Sequence, residues 1–185
     1  MAVILAEVEP PEIGDVMKKR NIFSRLMAHM LTPVWLVKNM FSKESMNRIE
    51  KAIKESEHLH NGQICFVVET NLDLLEILHG KSGRKRALEV FSQLRIWDTE
   101  KNNGVLIYLL LADHDFEIVA DRGIHQCVGN AIWEFVSDDM EVHFKRHQFE
   151  QGVLHGIEKI TELMQQYYPP QLEQYNELPN SPVVL

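Results

Sequence analysis

Residues 94–129 read LRIWDTEKNNGVLIYLLLADHDFEIVADRGIHQCVG, and the alternation of apolar runs with polar turns in this stretch decides the fold. Gly104 to Ala112 is a short apolar run bounded by turn signals, the pattern of a strand buried on both faces. Asp113, His114 and Asp115 make a polar turn, and Phe116 to Asp121 returns with Phe116, Ile118 and Ala120 on one face. So short a connection demands antiparallel pairing. The hairpin then carries polar residues at both ends. Asp113, His114 and Asp115 stand at one end; Asp98, Glu100, Asn102, Asn103, Asp121, Arg122 and His125 stand at the other. The second group, read as two converging loops, is the candidate site.

Working outward, Gln63 to Glu69 (QICFVVE) reads as another buried strand, and Ala87, Leu88, Phe91 and Leu94 form the inward stripe of a helix from about Gly83 to Leu94. Met46, Ile49 and Ile53 mark an earlier helix, capped by Ser42 and ending before the turn pair Asn61-Gly62. The order helix, strand, helix, strand predicts a parallel pair joined by a crossover, followed by the antiparallel hairpin. Ile132, Val136, Met140 and Phe144 mark one later helix; Val153, Ile157, Ile160, Leu163 and Met164 mark a last one before Pro169. The expected class is α/β: a three-layer α/β/α sandwich on a small mixed sheet with an antiparallel hairpin, plus an N-terminal helical extension.

The chain divides by composition. Residues 1–17 are acidic, contain Pro10 and Pro11, and read as a mobile arm. Residues 18–41 form a basic amphipathic helical extension, with Ile22, Phe23, Leu26, Met27 and Met30 at helical spacing and Thr32-Pro33 expected to cap and start a second helix. Residues 42–168 make the domain proper. Residues 169–185 hold four prolines without periodicity and read as a disordered tail or an extended strap. Residues 18–51 carry eight basic side chains against two acidic ones, a local +6 in a chain of net charge −8, which leaves −14 elsewhere.

With 185 residues and 45% hydrophobic content the chain suffices for one full core. No run of 18 apolar residues occurs, and the opening MAVILAEVEPPE lacks a basic leader region, so a cytoplasmic protein is expected. Cys65 and Cys127 suit reduced thiols better than a disulfide. The acidic balance argues against nucleic-acid binding.

The run Asn102-Asn103-Gly104-Val105-Leu106-Ile107, followed by Glu117-Ile118-Val119 and by Gly123-Ile124, resembles the TPM domain family over roughly Phe41 to Tyr168. The resemblance implies an α/β/α sandwich, divalent-metal binding as in several members, and the acid phosphatase activity of some plant members. Two departures matter. Asn102-Asn103-Gly104 stands where the family usually has aspartate-asparagine-glycine, and Asp121-Arg122-Gly123-Ile124-His125 stands where it usually has glycine-aromatic-glycine-leucine-acid. A metal site must therefore be rebuilt from this chain's own residues. Family members usually carry a signal peptide and a carboxy-terminal membrane helix; neither pattern occurs here, which resembles the soluble, proteobacterial-type branch.

Asp98, Asn102, Asn103, Asp121 and His125 are the expected metal ligands. Oxygen donors favour calcium or magnesium, and His125 would draw the set toward manganese or zinc. The plainer alternative is a polar loop pair in which Asp98 caps, the asparagines turn and Arg122 pairs with an acid. A phosphatase would use Arg122 for phosphate, Asp98 or Asp121 for a metal and His125 as an acid, without any P-loop. His143 and His147 stand four apart on an expected helix, but Phe144 replaces the glutamate that HExxH chemistry needs. The leading expectation is a cytoplasmic binding or accessory module holding a divalent metal. The alternatives are a metal-dependent acid phosphatase acting on phosphate monoesters, and a peripheral interaction protein touching a partner or an anionic membrane through residues 18–41.

Overall fold

The computed structural model describes residues 21–171 and 176–185; the arm expected over residues 1–17 lies outside them. Helices α1 (Ile22–Leu31), α2 (Leu36–Met40) and α3 (Lys43–Ser56) precede strand β1 (Gln63–Glu69). Helices α4 (Leu74–Leu78) and α5 (Gly83–Gln93) cross over to β2 (Gly104–Leu110), which turns into β3 (Asp115–Ala120). Helices α6 (Arg122–Val128), α7 (Asn130–Lys145) and α8 (Phe149–Tyr167) follow, and β4 (Val183–Val184) closes the chain.

The sheet order is β3-β2-β1-β4. β1 and β2 run parallel, from Gln63 opposite Gly104 to Glu69 opposite Leu110. The hairpin pairs Val105 with Ala120 and Leu110 with Asp115. All seven residues of β1 and of β2 are buried, because alternate side chains enter two separate cores. Ile64, Phe66, Val68, Val105, Ile107 and Leu109 face Ile49 and Ile53 of α3, Met140 of α7 and Ile157 and Ile160 of α8. Cys65, Val67, Leu106, Tyr108 and Leu110 face Ile77 of α4 and Ala87, Val90 and Phe91 of α5. This is the expected three-layer α/β architecture with a mixed sheet.

Three local expectations change, and the described part of the tail follows the strap alternative rather than the disordered one. Thr32 does not open a helix: its hydroxyl and its N–H both donate to Ala28 O, at 2.7 and 2.9 Å, so it closes α1, and Leu36 N–H bonds Pro33 O before α2 begins. The stretch after Asp121 is a helix, not a loop, because Asp121 caps it at 2.7 Å and Gly129, at φ 79°, ends it. His147 lies past the end of α7 with φ 58°, so it does not share a helical face with His143. The tail contributes a strand: Val183 and Val184 pair in parallel with Val67 and Val68, and Leu178 is buried beneath the α4–α5 face.

Candidate functional site

The candidate site lies at the amino end of β1 and β2, where the turn before β2 meets the start of α6. Asn102 takes φ 52°, a left-handed conformation that asparagine tolerates better than most residues. Gly104 is required by crowding, since a Cβ there would stand 2.1 Å from Ile96 O. Asn103 is 1% exposed. Its N–H donates to Thr99 Oγ1 at 3.0 Å and its Nδ2 donates to Asn61 O at 2.5 Å, tying the turn to the entry of β1. Each residue of Asn102-Asn103-Gly104 thus has a backbone task of its own.

Asp121 leaves β3 with its N–H on Gly104 O at 2.9 Å and caps α6 through Oδ1. α6 seats tightly on the asparagine turn. Ile124 N–H donates to Asn102 O at 3.2 Å, and a Cβ on Gly123 would meet Asn102 O at 2.5 Å and Lys101 O at 2.7 Å. Burial raises the Asp121 carboxyl above the ordinary aspartate value. Two side-chain oxygens here are buried and have no hydrogen-bond partner: Asn103 Oδ1 and Asp121 Oδ2.

Tyr168 completes the wall. Its carbonyl accepts from Asn61 N–H at 2.8 Å, and its phenol is pushed up to about 12 by burial and by the neighbouring Cys127 and Asp121. Asn61, Cys127 and Tyr168 are thus residues of this wall that the sequence did not single out; Asn61-Gly62 was visible only as a turn.

The structure unites Asn102, Asn103 and Asp121. His125 is partly buried on α6, its N–H on Asp121 O. Asp98, Glu100 and Arg122 are exposed, and the Glu100 N–H donates to Glu177 Oε2 of the tail at 3.0 Å. Among the described residues, no three His, Cys, Asp or Glu side chains gather to hold a metal ion. Cys65 is buried and Cys127 exposed, both as free thiols.

The opposite end of the sheet is polar too, and apart from the buried, unpartnered Thr70 Oγ1 its charged groups pair with one another. Glu69 accepts from Arg86 on both oxygens, at 2.8 and 2.9 Å, and from Tyr108 at 2.5 Å. Asp113 accepts from Arg25 at 2.7–3.1 Å and from His29 Nε2 at 3.0 Å. Leu72 N–H donates to His29 Nδ1 at 2.9 Å, which places the ring proton on Nε2 and makes His29 a donor to Asp113. Burial alone would raise Asp113, but His29 and Arg25 outweigh it and bring the carboxyl down to about 2. Burial, then Asp113, raises Asp115 to about 6; burial, then Asp115, raises Glu117 to about 7.

These features define an α/β/α domain with a polar cradle at the amino end of its parallel strand pair. The chain matches the TPM domain family over residues 37–163 and belongs to it. The NMR structure of the BA42 protein from the psychrophilic bacterium Bizionia argentinensis is similar, with 30% identity and a TM-score of 0.70 over 78% of this chain and 94% of that one. The N-terminal domain of a P. gingivalis protein, also solved by NMR, shares the fold at 13% identity and a TM-score of 0.56, over 76% of this chain and 94% of that one. None of the curated proteins compared matches the chain.

Proposed function

We propose that the chain is a TPM-domain binding module whose cradle takes a hydrated hard divalent cation, calcium or magnesium, with Asp121 and Asn103 as its side-chain ligands. One observation carries this reading. Asn103 Oδ1 and Asp121 Oδ2 are buried acceptors without a donor, whereas buried polar atoms are ordinarily satisfied. A hard cation, with its waters, meets that need with the oxygen ligands it prefers. One carboxylate and one amide form a sparse set, so water must reach these two buried oxygens to complete the ion's shell. When bound, the ion supplies positive charge beside the buried carboxyl. His125 enters only if the ion is manganese or zinc.

The phosphatase reading draws on Asp98, Asp121, Arg122 and His125, yet Asp98 and Arg122 are exposed while Asp121 is turned inward. Binding is therefore preferred to catalysis. A cytoplasmic setting and a protein partner complete the proposal, and the two free thiols support a reducing compartment.

The test is an amide NMR titration of metal-free protein with calcium, magnesium, manganese and zinc. Shifts confined to residues 98–104 and 121–125, and lost in Asp121→Ala, are expected. No shift with any of the four ions refutes the reading. Hydrolysis of p-nitrophenyl phosphate that disappears in Asp121→Ala replaces binding with catalysis.

A further inference from the structure

α1 lies ahead of the family-matched residues and carries two stripes. Leu26 packs toward the α4–α5 core and His29 is buried. Phe23, Met27, Met30 and Leu31, at spacings i, i+4, i+7 and i+8, form the other stripe, and they face outward with exposures of 70%, 37%, 62% and 71%. Val34 and Trp35, beyond the end of α1, are 70% and 58% exposed. α4 packs on α1 and presents Leu75 and Leu78, 65% and 58% exposed. A run of large apolar side chains on adjoining elements is more than the scattered exposure that soluble surfaces show.

Charge selects the occupant. Residues 16–43 contain six basic side chains (Lys18, Lys19, Arg20, Arg25, Lys38 and Lys43) and no acidic one. Lys38 and Lys43 are exposed, while Arg25 is held by Asp113. Of the acids on neighbouring α4, Asp73 caps the helix and Glu76 is paired with Lys81 at 2.6 Å. A second copy would bring like charge against like charge. An anionic lipid surface accepts both features, since basic residues gain from its potential while Phe, Met, Leu and Trp enter the boundary between headgroups and chains. No helix among the described residues is long and apolar enough to cross a membrane, so the contact is peripheral.

We infer that the outer face of α1, with Val34, Trp35 and the adjoining Leu75 and Leu78, docks on an anionic membrane surface. Co-sedimentation of the full chain with phosphatidylcholine vesicles, with and without phosphatidylglycerol, tests this. Binding is expected only with the anionic lipid, weakened by salt. The double variant Phe23→Ser/Met30→Ser should bind about tenfold more weakly or worse, from the loss of two buried apolar side chains. Because both residues are exposed, its circular dichroism and melting should match the parent. Brominated lipid should quench Trp35 fluorescence, an effect removed by Trp35→Phe. Absence of pelleting with anionic vesicles overturns the inference, as does equal binding to neutral ones. A dimer in light scattering that the double variant dissolves also overturns it, in favour of a second copy.

Discussion

Replacing Asp113 by alanine tests how α1 is held to the domain. The carboxylate takes three hydrogen bonds from Arg25 and one from His29, and His29 in turn accepts from Leu72 N–H, so one side chain links α1, the β2–β3 turn and the approach to α4. The folded pKa of about 2 lies below the ordinary aspartate value of 3.8. An acid depressed in this way adds stability that is fully present above its unfolded value and is lost as pH falls through the folded one. At about 1.4 kcal/mol per unit, the contribution is about 2 kcal/mol at pH 7 and about half of that at pH 3. The side chain is only 12% exposed, so solvent screening removes little of it. Urea unfolding of the parent and Asp113→Ala at pH 7 and pH 3 measures both values, and limited proteolysis should cut the variant first near α1. Equal losses at the two pH values, or a loss under about 0.5 kcal/mol at pH 7, would refute the linkage argument.

Other consequences are equally open to measurement. Glu117, raised to about 7 from 4.5, makes the fold less stable when charged, and the penalty fades as pH drops through 7 and is gone below 4.5. Glu117→Gln should thus gain about 1–3 kcal/mol at pH 8 and nothing at pH 4 by thermal melting. Gly104→Ala drives a Cβ into Ile96 O and should destabilise by about 3 kcal/mol or prevent folding, read by circular dichroism. Tyr108→Phe removes the hydroxyl that bonds Glu69 and should lose about 1–2 kcal/mol in urea, since the other partner is charged. If the cradle binds a cation, affinity should strengthen as pH rises through the Asp121 titration, which burial places above the ordinary aspartate range; a pH-independent affinity between pH 4 and 7 in calorimetry would count against Asp121 as a ligand.

How much was legible differs from element to element. The β2–β3 hairpin could be read because its signals are local: an apolar run, a three-residue polar turn and a period of two. β4 could not, since two residues beside Pro182 have no period, and only β1's open edge makes them a strand. α6 was taken for a loop because its seven residues, with Gly123 among them, offer only one apolar pair at helical spacing, Ile124 and Val128, and its start depends on the Asp121 cap. Within the site, the convergence of Asn102, Asn103 and Asp121 followed from hairpin geometry. Asn61 and Tyr168 lie 42 and 65 residues from Asn103 along the chain, and only packing brings them there.

By itself, then, the sequence determined the periodic and local features: the parallel pair with its crossover, the hairpin, helices α3, α5, α7 and α8 of the two outer layers, and the apolar periodicity of α1. Tertiary structure alone decided which way those stripes face and which buried oxygens find a donor. The reason is physical. Periodicity records that a segment has an apolar side, but whether Phe23 or Leu26 is covered, and whether Asp121 Oδ2 meets a partner, depends on neighbours remote in the chain.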